Sequence, residues 1–492
     1  MYQNNNIQQY LRLFFSISLI SLIFIMLLPN VAAAETVTLG NFSALDAAIE
    51  AQMQKHELPG IAVTIIDGDD VVYTQGYGRA GRSRPMTAGT QMFIGSQSKS
   101  FTALAVAQLA DQGILDLDTP VQSYIPWFRV ADEAASQQIT VRHLLNHSSG
   151  LSDAGFPVVL SRDTIPEEAV RALENANLTA PIGTTFQYFN RGYTLLAYLV
   201  EISSGQSFAD YVKDQIMIPL GMDNSTADPG SAPVIAQGYS RLFGFNFPMA
   251  QPTPAYGAGA ANMVSTAEDL AKFAIAMNNQ AEVLVSPMMW DEILTPGPGS
   301  YGFGWWIVDE GEKVFHGGAD ETFRTDVNLY PKEGLAFVLL VNQGHQFDHF
   351  VSTVQLRDSV EAFVLGRDPI PAEQGWSVRW LGWGVGIITL GLSIMHTHNF
   401  IRLRSWRERA QSMSKRKRLT DIGLSFLIPT VILVIILSQV RAFYGDRFNL
   451  WPTLVGMPRI IPDVFILMLV AAIPDYVQGI IKIILWQSKP GS

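Results

Sequence analysis

Three apolar runs in the last quarter of the chain limit what that quarter can become. Trp380–Met395 and Ile422–Val440 are apolar runs of the kind that cross a bilayer, where a helix satisfies all of its own peptide groups. The third, Val464–Leu485, is interrupted by Pro474-Asp475 and Lys482. Asp475 reads either as the partner of a residue in another span or as an interface marker. Trp376, Trp380 and Trp383 form an aromatic belt at the start of the first run, and Gly382 and Gly386 make one GxxxG, a pattern that packs helices. Between the first two runs lie Arg402, Arg404, Arg407, Arg409, Lys415, Arg416, Lys417 and Arg418. So short a basic loop belongs on the cytoplasmic side, which places residues 35–370 outside.

The other end of the chain predicts the same side. Arg12, an apolar stretch Leu13–Leu28, Pro29 and Ala32-Ala33-Ala34 read as a signal peptide cleaved near Ala34–Glu35, with an uncleaved anchor as the rival. The expected organisation is therefore a signal peptide or anchor at 1–34, a large domain at 35–366, a linker at 367–375 and a membrane domain with about three helices at 376–492. The protein is expected to be a multi-pass protein of the cell membrane, touching lipid through its C-terminal spans. A net charge of -11 with no dispersed basic face argues against a nucleic-acid partner. The absence of cysteine removes disulfides, thiolate catalysis and cysteine metal sites together.

Within the large domain, Asn41–Leu58 has the spacing of an amphipathic helix, and Ile61–Asp67 with Val71–Gly76 reads as a hairpin around Gly68-Asp69-Asp70. The middle is mostly helical, with Thr140 capping one helix and Ser265-Thr266-Ala267-Glu268 reading as a capping box before another. Strand signals return at Gly302–Val308, Lys313–Phe315, Thr325–Tyr330 and Leu335–Val341, and a helix over Phe347–Leu365 follows. Strands at both ends with helices between them predict an α+β sandwich: an antiparallel sheet flanked by helices, plus a helical subdomain.

Three short motifs carry chemistry. In Phe93-Ile94-Gly95-Ser96-Gln97-Ser98-Lys99, a glycine turn leads into a helix, so Ser96 sits at the helix N-terminus, where backbone N–H groups favour developing negative charge. Lys99 lies one turn further on the same face and can reach the Ser96 hydroxyl; a desolvated lysine can act as its base. Ser-x-x-Lys recurs at Ser412 and Ser414 in the basic run, so the pattern alone decides nothing. Tyr188-Phe189-Asn190 precedes a helix and offers a phenol near a lysine as proton shuttle and an amide for a substrate carbonyl. His316-Gly317-Gly318 ends a strand, where two glycines would let a substrate backbone lie close, and the Ala319 N–H could join that of Ser96 as an oxyanion hole.

Taken in order, Ser-x-x-Lys, Tyr-x-Asn and His-x-Gly resemble the serine penicillin-recognising family: class C β-lactamases, DD-peptidases and related esterases. Phe93–Ala103, Leu144–Leu151 and Asp269–Phe273 also look like family segments, and the likeness covers about residues 40–365. The resemblance implies Ser96 as acyl-enzyme nucleophile and Lys99 and Tyr188 sharing the proton transfers. It implies Asn190 and His316–Ala319 on the substrate, and no metal or cofactor. His147 reads as structural, since no aspartate partner is evident. One departure stands out: His316 occupies the position where β-lactamases usually carry a lysine that holds the antibiotic's carboxylate. Asp320 and Glu321 follow directly, and if they border the cleft, anionic substrates should be disfavoured. The expected activity is amide hydrolysis of D-amino-acid peptides or cell-wall fragments. Ester hydrolysis on the same machinery and a penicillin-binding sensor without turnover are the alternatives.

Overall fold

The computed structural model describes residues 40–372, 377–444 and 450–487. The expected signal peptide and Trp376 lie outside the described residues. Asn41 caps helix α1 (Phe42–His56) by accepting the Ser43 N–H at 3.0 Å. A hairpin of β1 (Gly60–Asp67) and β2 (Asp70–Gly78) follows, turning at Gly68 with φ +61°. Helices α2 (Ser98–Asp111), α3 (Asn190–Ser204) and α4 (Ala267–Asn278) lead to strands β3 (Trp306–Val308), β4 (Lys313–Ala319), β5 (Arg324–Tyr330) and β6 (Leu335–Val341), then α5 (Ser352–Val364). The six strands form one antiparallel sheet in the order β2-β1-β6-β5-β4-β3.

β6 is a continuous apolar run, Leu-Ala-Phe-Val-Leu-Leu-Val, buried along its whole length. Such a strand must be covered on both faces. α1 and α5 pack on each other, α5 also on β6, and α4 lies across β1, β5 and β6. α2 is buried from Ser98 to Leu109, on every side. Its polar side chains tolerate this because each finds an acceptor: Ser98 bonds Gly95 O (2.8 Å), Ser100 bonds Gly304 O (2.7 Å) and Thr102 bonds Gly259 O (2.7 Å).

Several expectations shift. Thr266, not Ser265, caps α4 by accepting the Asp269 N–H at 3.0 Å, while Ser265 pairs with Met92 in a short ladder. The strand expected from Gly302 starts only at Trp306, because Gly304 adopts φ +75° and a Cβ there would lie 2.8 Å from the Lys99 carbonyl oxygen. The helix expected over Phe347–Leu365 breaks at Val351, where φ is -121°.

The C-terminal part consists of α6 (Val378–Leu403), a short helix Trp406–Gln411 within the basic stretch, α7 (Lys415–Tyr444), α8 (Leu450–Ile460) and α9 (Pro462–Gln487). α6, α7 and α9 are long and apolar enough to cross a membrane. α9 packs against both others and runs on through Pro474. Its polar residues have partners there: Asp475 faces His396 at 3.3 Å, and Lys482 pairs with Asp421 at 3.0 Å. Among the described residues, the nearest neighbours of Gly382 and Gly386 belong to the large domain and not to a second span. A Cβ on Gly382 would meet Gly244 N at 2.3 Å and one on Gly386 would meet Phe243 at 3.1 Å, so α6 packs on the turn of the hairpin Tyr239–Pro248.

Candidate active site

The turn that carries Ser96 and strand β4 meet through glycines. Gly95, at φ +53°, turns the chain into the tight turn that carries Ser96, and a Cβ on it would sit 2.8 Å from Ala319 N. A Cβ on Gly318 would sit 1.9 Å from Ile94 O. Gly318 thus makes room for the turn that carries Ser96. β3 pairs only with Lys313–Phe315, which leaves residues 316–319 of β4 with a free edge. The Asp320 N–H donates to Phe323 O at 3.0 Å, so by the alternation of an antiparallel ladder the Ala319 N–H faces that edge. Ala319 itself is exposed.

Lys99 is fully buried on α2. Its Nζ lies 3.0 Å from Ser96 Oγ and donates to Ala260 O at 2.7 Å. It stands 4.8 Å from the centre of the Tyr188 ring and 5.7 Å from that of Tyr193. An amine at that distance is within hydrogen-bond reach of the serine oxygen for proton exchange.

Tyr188 owes its place to His147, a non-glycine residue at φ +56°. The His147 carbonyl accepts the Gln187 N–H (2.7 Å), its Nδ1 accepts the Phe189 N–H (3.3 Å), and its ring lies 4.5 Å from the Tyr188 ring. His147 therefore brackets Tyr188 on both sides in sequence and is a positioning residue. Asn190 opens α3, its Oδ1 buried without a hydrogen-bond partner among the described residues.

His316 points inward, 2% exposed, and its Nε2 meets Tyr301 Oη at 2.9 Å. Burial, then the Lys99 charge, pulls its pKa down to about 3. Its Nδ1 lies 2.9 Å from Gly317 O, an acceptor only, which assigns the proton to Nδ1 and makes Tyr301 the donor to Nε2. Burial pushes the Asp320 carboxyl up to about 7, against the Arg324 and Lys99 charges. Glu321 is also raised by burial, opposed by an ion pair with Arg459 of α8. The Ala260 carbonyl and Tyr301 were invisible in the sequence: the first is main chain, and the second lies in a glycine-rich loop without a motif.

A base whose folded pKa is depressed adds stability that is present above the unfolded value near 6.5 and lost as pH falls toward about 3. His316→Gln is therefore expected to flatten the acid limb of the stability curve across that window. Urea unfolding of both proteins at pH 4 and 7 checks it; an unchanged limb would contradict the buried neutral imidazole.

A buried lysine on a serine at a helix start, beside a free strand edge, belongs to serine hydrolases that work through an acyl-enzyme. The family model for beta-lactamase matches residues 45–360, and the chain belongs to that family. Protein flp of Staphylococcus aureus (strain MW2) is 27% identical over 328 residues, covering 62% of this chain and 63% of flp. Unguisins hydrolase ungD' of Aspergillus campestris is 30% identical over 326 residues, covering 60% of each. The chain thus spans less than two thirds of the length of these curated relatives. Among solved structures, the octameric penicillin-binding protein homologue from Pyrococcus abyssi matches with a TM-score of 0.60 and 28% identity over 68% of this chain and 79% of that one. The penicillin binding protein from Bacillus halodurans matches with a TM-score of 0.55 and 25% identity over 64% and 99%.

Proposed function

We propose that the protein is a membrane-tethered, extracytoplasmic hydrolase that forms an acyl-enzyme on Ser96 and prefers acyl donors without a carboxylate beside the scissile bond. The carrying observation is the Lys99 amine 3.0 Å from Ser96 Oγ, anchored by Ala260 O. Lys99 takes the Oγ proton as Oγ attacks the carbonyl. The oxyanion forms between the Ser96 and Ala319 N–H groups, each worth roughly 2.7–4 kcal/mol in comparable sites. Tyr188 passes the proton to the leaving oxygen or nitrogen, Asn190 holds a substrate carbonyl, and water releases the acyl group by the reverse route.

The substrate preference is supported by His316, which is neutral at working pH and turned away from solvent, so its strand position supplies no cation. Neutral esters and internal amides then fit better than penicillins or peptides ending in a carboxylate. Amide hydrolysis of D-amino-acid peptides or cell-wall fragments is the second reading, favoured by the likeness to penicillin-binding proteins. The outward orientation is supported by the docking of the catalytic domain on Arg379 and Arg459, at the bundle end opposite the basic loop 402–418.

The test is turnover of matched neutral and carboxylate-bearing p-nitrophenyl esters, alongside competition between a fluorescent penicillin and a fluorophosphonate. Faster turnover of the neutral ester with little penicillin labelling is expected. A preference for the anion would overturn the specificity, and stable acylation with no turnover of either ester would indicate a sensor.

A further inference from the structure

Three spans are more than an anchor needs, and the catalytic domain touches them beside its reactive centre. Arg459, near the end of α8, ion-pairs with Glu321 and donates from Nη2 to Ala250 O at 2.9 Å. Glu321 stands two residues after Ala319. Two Cα–Cα steps of about 3.8 Å separate Glu321 from Ala319, so a shift of the Glu321 turn strains the strand end that carries the Ala319 N–H. The turn is close-fitted elsewhere: Thr322 Oγ1 donates to Gln251 Oε1 at 2.8 Å, and a Cβ on Gly344 would meet Thr322 N at 2.1 Å. Asp463, at the start of α9, faces His345 at 3.4 Å, both side chains 1% exposed.

A second contact lies on the hairpin that precedes the Ala260 segment in the chain. The hairpin turn Phe243-Gly244 rests on Gly382, Trp383 and Gly386 of α6, and the chain runs from that hairpin to Ala260, whose carbonyl holds Lys99. The two contacts come from different membrane-domain elements, α6 at the hairpin and α8 at the Glu321 turn.

We propose that the membrane domain is part of the active-site scaffold, with Arg459 as a positioning residue that holds the Glu321 turn and, through it, the Ala319 oxyanion donor. The proposal rests on the Ser96 acyl-enzyme reading. It assigns the second and third spans a role: they carry α8 to the underside of that turn.

The test uses the full chain in lipid nanodiscs, with fluorophosphonate capture rate and the kcat–KM split on p-nitrophenyl butyrate as readouts. Arg459→Ala and Glu321→Gln are expected to slow capture and lower kcat by roughly 10- to 100-fold, the cost of a small misplacement of a catalytic group, with KM little changed. Arg459→Lys is expected to recover part of the loss, since an ammonium keeps the charge but not the planar fork. Reversing the pair, Glu321→Arg with Arg459→Glu, is expected to recover part as well. Should Arg459→Ala fail to fold, Glu321→Gln and Arg459→Lys carry the same comparison. Capture and kcat at wild-type level in Glu321→Gln and the Arg459 variants would overturn the proposal, as would a rise confined to KM. Ser96→Ala run in parallel separates the two ideas: if it still turns over ester, the acyl-enzyme reading fails instead.

Discussion

A Ser96→Ala enzyme is expected to lose covalent capture by fluorophosphonates completely and to slow ester turnover by roughly 10³–10⁶-fold, the range seen when a nucleophile is removed from a cooperative site. The effect is large because the other groups act on this oxygen. Lys99 points at it, and residues 316–319 of β4 offer an unpaired strand edge beside it. Folding should be spared, since the turn at Gly95–Gln97 is shaped by Gly95 and by its contact with Gly318 and not by the serine hydroxyl. Intact-mass measurement after inhibitor treatment, paired with a melting curve, checks both halves. A residual adduct on the variant would move the nucleophile elsewhere.

Lys99→Ala is expected to cost a factor on the order of 10³ or more in kcat, because a neutral serine hydroxyl without a base is a poor nucleophile. Lys99→Arg should not rescue it, since a guanidinium keeps its proton throughout the working range. The alanine variant leaves a cavity ending at Ser96 Oγ and Ala260 O, shaped for a small amine. Added methylamine or ethylamine should therefore restore part of the rate, with bulkier amines less effective. Activity in Lys99→Arg near that of the wild type would show that the residue orients the site without moving a proton.

Part of this architecture was legible residue by residue. Continuous apolar runs mark β6 and the membrane helices because burial on every side, by protein or by lipid, demands it. Ser96 and Lys99 could be paired on paper because three residues along a helix make one turn. The third motif was readable as residues, while its packing was not. The fold buries His316 against Tyr301 and sets the Ile94 carbonyl against Gly318. α8 left no expectation at all, although its Arg459 reaches Glu321 in the turn after Ala319.

Local chemistry alone determined the side chains that could react, the periods of the helices and strands, and which segments seek a membrane. Tertiary structure alone decided which further backbone groups lie beside them: the Ala260 carbonyl at Lys99 and the turn at Glu321. Peptide groups are the same at every position, so their function comes only from where the folded chain carries them.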